Sequence, residues 1–372
     1  MAPEPGLTLD YAGLRRRCRL VAAKLGALGL GAGDKVAFLL DNGLWSVSLW
    51  LGTMYAGLVT VPLNAVAGVA SMRHVLEHCD ARVLFCSDHH RRQYEAAIAG
   101  CPRPITILET DEDTGPAWSH LGAPPQGSAV PVDPADDALL LYTSGTTGVP
   151  KGARLSHRAV LAGGRNTALA HRLTPADRGL CVLPLYHING EIVTLMGPLV
   201  SGGSVVMPHR FHASRFWDLV MREGCTWVSL VPTLIAYLLD RARRADVDAA
   251  IEFAHHSELR QLRFARSASA PLPASLQRQF EQVFGVPMIE TMGLTETCAP
   301  ILSNPLPPEV HKPGSPGIPF GNEVVVADDG SPEEVVEPGE AGGNRVRNGV
   351  GAAAEFDLVT HDVDHAAAFQ TG

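Results

Sequence analysis

The seven cysteines of this chain form no C-x-x-C pair, are odd in number and follow no secretory signal segment. Neither a disulfide framework nor a standard redox or zinc motif is therefore encoded, and a reduced, cytoplasmic setting is expected. The nearest thing to a metal pattern, His78, Cys79, Cys86, His89 and His90, has the spacing of no known zinc set and reads as buried thiols and surface histidines. Aromatic residues are only 6% of the chain, and 30 basic residues face 39 acidic ones for a formal net charge of -9. The short clusters Arg15 to Arg17 and Arg241 to Arg244 thus read as solvated helix faces, since nucleic-acid binding needs a basic stripe interleaved with aromatics. Charged side chains are missing altogether from Asn42 to Ser71, and Gly43 to Leu63 is long enough to span a bilayer. Gly52, Gly57 and Pro62 interrupt that stretch, Leu58 to Val61 is β-branched enough for a strand, and no basic flank follows until Arg73. A buried helix followed by a buried strand is expected, with no transmembrane segment.

What is present is an ordinary globular composition, 46% hydrophobic and 19% charged over 372 residues, enough for two or more units with sizeable cores. Helical apolar spacing over Tyr11 to Leu28 runs into the strand-like Val36 to Leu40. The alternation recurs: helix Met72 to Cys79 then strand Arg82 to Cys86, and helix Ser156 to His171 then strand Leu180 to Leu183. Strands are expected again at Ser204 to Met207, Thr226 to Leu230 and Arg263 to Arg266, each preceding a helix, at Ala213 to Glu223, Pro232 to Arg241 and Pro273 to Phe284. Such alternation implies an α/β class with mostly parallel sheets flanked by helices. Proline and glycine are dense at Gly115 to Asp136 and Asn304 to Pro319, which read as linkers; beyond Gly339 no clear strand or helix is expected until Val363 to Phe369.

The most informative string is Tyr142-Thr143-Ser144-Gly145-Thr146-Thr147-Gly148-Val149-Pro150-Lys151-Gly152, delivered by the apolar run Leu139 to Leu141. Glycines let backbone N–H groups approach phosphate oxygens, the hydroxyls add donors, and Lys151 brings a cation to a polyphosphate. A Walker-type loop would need Gly before the lysine and Ser or Thr after it; here Pro150 precedes and Gly152 follows. Two further strings come after it, Pro184-Leu185-Tyr186-His187-Ile188-Asn189-Gly190 and Glu290-Thr291-Met292-Gly293-Leu294-Thr295-Glu296-Thr297.

In these three elements and their order the chain resembles the adenylate-forming superfamily of acyl-CoA synthetases, adenylation domains and luciferases. The resemblance implies a large N-terminal domain over residues 1–339, with subdomains about 1–136 and 137–303 and then a β-rich segment. It implies ATP, Mg2+ and coenzyme A as cofactors or co-substrates, and a small-molecule carboxylic acid activated first to an acyl-adenylate. Thr143, Ser144, Gly145, Thr146, Thr147, Gly148 and Lys151 would hold the phosphates, and His187 would lie beside the acyl carboxylate. Thr295 would bond the α-phosphate, and Glu296 with Thr146 would hold magnesium. Glu290, Thr291, Met292 and Gly293 would border the adenine, Met292 standing where the family usually has an aromatic residue. Ser269 and Ala270 fall in Arg266-Ser267-Ala268-Ser269-Ala270-Pro271-Leu272, similar to the family segment that lines the acyl and adenine pockets. The string Ser303 to Pro308 with His311 to Ser315 is most similar to the branch holding oxalyl-CoA and crotonobetaine-type ligases.

The same resemblance marks what is not in the sequence. The Arg-Thr-Gly-Asp element that binds the ribose and the small C-terminal domain with the adenylation lysine are absent, and 340–372 reads as an incomplete tail. Impaired ligase activity is the expectation, the alternative being a nucleotide- or acyl-binding pseudoenzyme or a partner of a separate C-terminal domain. A homodimer is left open.

Overall fold

Alternate side chains of the strand Lys35–Leu39 (β1) point into different cores, and this explains why the sequence from Val36 to Leu39 is apolar without interruption. Val36 and Phe38 pack with Val21, Leu25, Trp45, Leu49 and Phe85, while Ala37 and Leu39 pack with Met72, Leu76, Leu84 and Tyr94. The computed structural model describes residues 1–4, 6–118, 131–143, 149–244, 261–327 and 343–347. It divides into two units, the first comprising Met1–Val160, Val182–Glu191 and Val206–Phe211, the second Leu161–Cys181, Ile192–Val205 and His212–Gly372.

In the first unit β1 lies between β2 (Val59–Pro62) and β3 (Ala81–Cys86), all parallel. Outside them come β4 (Thr106–Asp111) and β5 (Gly115–Pro116) on one side, β6 (Asp137–Thr143) and β7 (Lys151–Ser156) on the other, giving the order β5-β4-β3-β1-β2-β6-β7. Helices α1 (Tyr11–Ala27) and α2 (Leu44–Tyr55) cover the face of Val36 and Phe38; α3 (Val69–His78) and α4 (Arg91–Ile98) cover the other. The uncharged stretch is therefore a buried helix and strand, and among the described residues no helix is long and apolar enough to cross a membrane. Helices α1 and α2 approach closely at Gly52, where an added Cβ would lie 2.6 Å from Val21 Cβ. Asp10 starts α1 by accepting the Gly13 N–H at 2.5 Å, satisfying a donor that the first turn leaves open. Asp10→Ala is expected to lower stability by about 1 kcal/mol in urea unfolding, and Asp10→Asn to keep most of it.

The second unit carries the order β14-β13-β12-β11-β10-β8-β9, with β9 (Ser204–Val206) at the edge. Strands β8 (Arg178–Leu180), β10 (Trp227–Leu230), β11 (Phe264–Ser267) and β12 (Met288–Leu294) run parallel, and β13 (Ala299–Ser303) and β14 (Ile318–Pro319) continue antiparallel. Helices α5 (His157–Ala170), α6 (Phe216–Arg222), α7 (Pro232–Arg244) and α8 (Ala274–Phe284) fall where the helical spacing puts them, within a few residues. The fold is α/β with mostly parallel sheets flanked by helices.

Two sequence expectations are corrected. The strand expected over Leu180 to Leu183 ends at Leu180, because β10 offers partners only to Gly179 and Leu180. Gly343–Arg347, expected to be without structure, is a strand paired antiparallel with Glu323–Ala327 from Glu323↔Arg347 to Ala327↔Gly343. The helix-like Val363 to Phe369 lies outside the described residues.

Candidate functional site

In the first unit β6 and β7 form an antiparallel pair in which Tyr142 faces Gly152 and Thr143 faces Lys151. The two ends of the phosphate-loop string are thus adjacent, Thr143 half-buried and Lys151 exposed. Ser144, Gly145, Thr146, Thr147 and Gly148 lie outside the described residues. Two histidines one turn apart on α3 hold the flanks: His78 Nδ1 bonds the Tyr142 hydroxyl at 2.6 Å, and His74 Nε2 lies 3.3 Å from the Pro150 carbonyl. Burial, then the neighbouring Cys79 and Asp80, push the Tyr142 phenol well above its ordinary pKa, so it stays neutral.

His187 belongs to the same unit. Its carbonyl accepts from Gly190 N at 2.9 Å and Glu191 N at 3.1 Å, opening the π-helical stretch Asn189–Met196, a winding often found at functional sites. Gly190 is required because a Cβ there would lie 2.5 Å from the Pro184 carbonyl oxygen. The segment before it is held by Asn42, whose Nδ2 donates to Leu183 O at 3.0 Å and whose Oδ1 accepts from Leu185 N at 3.0 Å. Behind it, Trp50 Nε1 donates to the fully buried Glu191 carboxyl at 2.7 Å. The His187 side chain keeps an exposed face, yet the protein around it disfavours its charged form and holds its pKa below the ordinary histidine value. It is a neutral hydrogen-bonding imidazole at pH 7.

In the second unit β11 runs out into Ala268 to Pro271, with Ser269 and Ala270 exposed and Ser269 at φ +70. Arg266, fully buried, donates from Nη1 to Ser229 Oγ on β10 at 2.9 Å and from Nη2 to Thr291 Oγ1 on β12, tying three strands together. Burial lowers its pKa to about 9. Glu290 is also buried, its Oε1 accepting from Leu272 N at 2.9 Å. The side chains of Glu290 and Thr291 therefore fix the strand that carries them. Half-buried Met292, Gly293, Thr295 and Glu296 keep accessible surface at the β12 end and the turn into β13. Asn304 closes the arrangement: Nδ2 donates to Glu290 O at 3.1 Å and to Ser315 O at 2.5 Å, and Oδ1 accepts from Lys312 N at 2.8 Å.

Thr143, Lys151 and His187 are thus in the first unit, and Ser269, Ala270 and the Glu290-to-Glu296 residues in the second. Sequence reasoning did not find Asn42, Trp50, Glu191, His74, His78 or the role of Arg266. Glu191, acidic at the end of an otherwise uncharged motif, was the readable signal among them.

The two mostly parallel sheets and the elements at their strand ends define the N-terminal domain fold of adenylate-forming enzymes. The chain belongs to the AMP-binding enzyme family, whose model matches residues 4–348. It is 42% identical over 352 residues to a sulfoacetate–CoA ligase of Cupriavidus necator, covering 92% of this chain and 66% of that one. An oxalate–CoA ligase of Arabidopsis thaliana is 31% identical over 323 residues, covering 84% and 60%. The crystal structure of ATP-bound MatB from Rhodopseudomonas palustris superposes with a TM-score of 0.79 at 28% identity, over 92% of this chain and 66% of that one. The chain thus spans less than two thirds of the length of these curated relatives.

Proposed function

We propose that this chain carries the adenylation site of an AMP-forming acid–thiol ligase, which joins a carboxylic acid to ATP as an acyl-adenylate before transfer to coenzyme A. The observation that carries the reading is the β6–β7 pair, which sets Thr143 beside Lys151 at the two ends of the Gly- and Thr-rich string. In-line attack of a carboxylate on the α-phosphate needs positioning and charge neutralisation more than covalent help. Lys151 supplies a cation to the phosphates, Thr295 a hydroxyl donor to the α-phosphate, and neutral His187 a donor that orients the carboxylate without itself carrying charge. Glu296, half-buried at the turn after β12, suits a hard cation and would hold Mg2+, with Thr146 as the second ligand; bound Mg2+ offsets the charge of the leaving pyrophosphate. Ser269, Ala270 and Met292 would line the ligand pockets. A cytoplasmic setting agrees with seven free thiols.

The relatives act on sulfoacetate and oxalate, which supports a short acid bearing a second acidic group as substrate class. The test is ATP–pyrophosphate exchange across oxalate, sulfoacetate, ferulate and unsubstituted fatty acids. Exchange with a short diacid or sulfonate is expected, and Thr295→Ala should lower it about tenfold, the worth of one hydrogen bond of ~1.4 kcal/mol. Saturable ATP binding in calorimetry without exchange would favour a binding role over catalysis, and no ATP binding would refute both.

A further inference from the structure

The strand order of the first unit reverses at β1: the connection from β1 leads to β2 on one side, and the next leads back across to β3 on the other. In open α/β sheets the crevice at the carboxyl ends of strands flanking such a reversal is where ligands are bound. Asp41 follows β1 there and His89 and His90 follow β3, and one ligand atom from each lies within 4.8 Å of the others. His89 Nε2 is 3.3 Å from Asp41 Oδ2 and His90 Nε2 is 3.9 Å from Asp41 Oδ1.

The second distance is too long for a hydrogen bond, and the buried His90 Nε2 has no hydrogen-bond partner among the described residues. Donors bound to one tetrahedral ion at about 2.0–2.1 Å stand roughly 3.3 Å apart. His89 and Asp41 already have that separation, and a His90 ring nitrogen lies within 4.8 Å of both. The frame around them is fixed by one buried carboxylate: Glu112 Oε1 accepts from Asp41 N at 2.9 Å and from Ser87 Oγ, so the loops after β1 and β3 share an anchor. Ser87 N donates to Leu39 O and His90 N to Ser87 O, each at 3.1 Å, and Ser46 Oγ donates to Asp41 O at 2.5 Å. Such outer-shell bonds orient ligating groups. One cation already faces the carboxylate: Arg210 Nε donates to Asp41 Oδ2 at 2.7 Å from a side chain 58% exposed, free to turn outward.

We propose that Asp41, His89 and His90 form a binding site for one divalent ion of the Zn2+ class, with Arg210 occupying the carboxylate until the ion displaces it. Two imidazoles and one carboxylate suit Zn2+ or Co2+ better than the hard ions Mg2+ and Ca2+. The proposal is independent of the adenylation reading, since none of these residues serves it. The spacing of the two histidines matches no known zinc set; the group that joins them, Asp41, is far away along the chain.

The experiment uses the full, untagged chain stripped with a chelator. Co2+ titration should give one equivalent with visible ligand-field absorption, displaced by Zn2+ in competition with a chromophoric indicator. Asp41→Asn and His90→Ala should each weaken Zn2+ at least about tenfold, with melting temperatures read in parallel to show that both variants fold. Arg210→Ala should tighten binding, because the competing guanidinium is gone. No Co2+ binding, or binding unchanged in folded Asp41→Asn and His90→Ala, overturns the site. Weaker binding in Arg210→Ala overturns the displacement.

Discussion

Trp227→Ala should destabilise the chain by about 3–5 kcal/mol, the cost of emptying a large aromatic site in a packed core. Trp227 is fully buried on β10, between the parallel neighbours β8 and β11. Its ring stacks on Phe264 at 5.8 Å and on His171 at 5.8 Å. It also fills the space left by Gly179 on β8, where an added Cβ would lie 2.9 Å from the indole Cζ2. Backbone pairing on both sides keeps the strands from collapsing into the void, so the loss belongs at the upper end of the large-to-small range. The indole Nε1 has no hydrogen-bond partner among the described residues, so Trp227→Phe sacrifices volume but no bond and should cost less than half as much. His171, fully buried beside the ring, is held neutral by burial and by Arg266 and Arg263, its pKa well below the ordinary 6.5. A buried neutral histidine gives stability above its unfolded pKa that is lost as pH falls through 6.5. Opening the cavity to water relaxes that constraint, and the acid limb of Trp227→Ala should be shallower than that of the wild type. Urea unfolding from pH 5 to 8 measures both effects; a loss below about 1 kcal/mol would show that the surroundings repack around alanine.

The parts of the fold that could be read from sequence are those whose signal is local. Helix α1, helix α2 and the strands β1, β2 and β10 are contiguous apolar or periodic segments, and their burial follows from spacing alone. Helix α4 and strand β4 carry no such signal: α4 is a short, mostly polar helix that buries only Tyr94 and Ala97, and β4 buries only Leu108 and Thr110 in a half-exposed run. Gly343–Arg347 is a strand because Glu323–Ala327 lies beside it, a nonlocal partner that a Gly-rich string does not advertise. The site divides the same way. Lys151, His187 and Thr295 stand in short strings whose spacing carries their chemistry. Asn42 and Trp50 each meet their partners across 141 residues of chain, and no pattern within one segment encodes such a contact. Arg266 reads as a strand-end arginine until the bonds to Ser229 and Thr291 show it inside the sheet.

Glu191→Gln should remove a stability loss that the wild type suffers between about pH 5 and 8. The Glu191 carboxyl is fully buried, and desolvation raises its pKa from 4.5 to about 8, opposed by the Trp50 hydrogen bond. In the folded chain it therefore keeps its proton across a range in which the unfolded chain has released it. Where the native state binds more protons, stability falls as pH rises, here through the window from 4.5 up to about 8. Each unit of that window costs on the order of 1.4 kcal/mol, so the accumulated loss at pH 7 is of the order of 3 kcal/mol, an upper figure because the unfolded chain is partly compact. Glutamine cannot ionise, and its carbonyl still accepts from Trp50 Nε1. The difference between the two stability curves should widen steadily from pH 5 to 8 and then level; parallel curves would refute a buried, protonated Glu191. The same change reaches the site. Glu191 N bonds the His187 carbonyl while the side chain is tethered to α2, so an ionised carboxylate seeking water would pull on the segment that carries His187. ATP–pyrophosphate exchange should therefore decline above pH 8 in the wild type and persist in Glu191→Gln, and an identical decline in both would place the alkaline limb on another group.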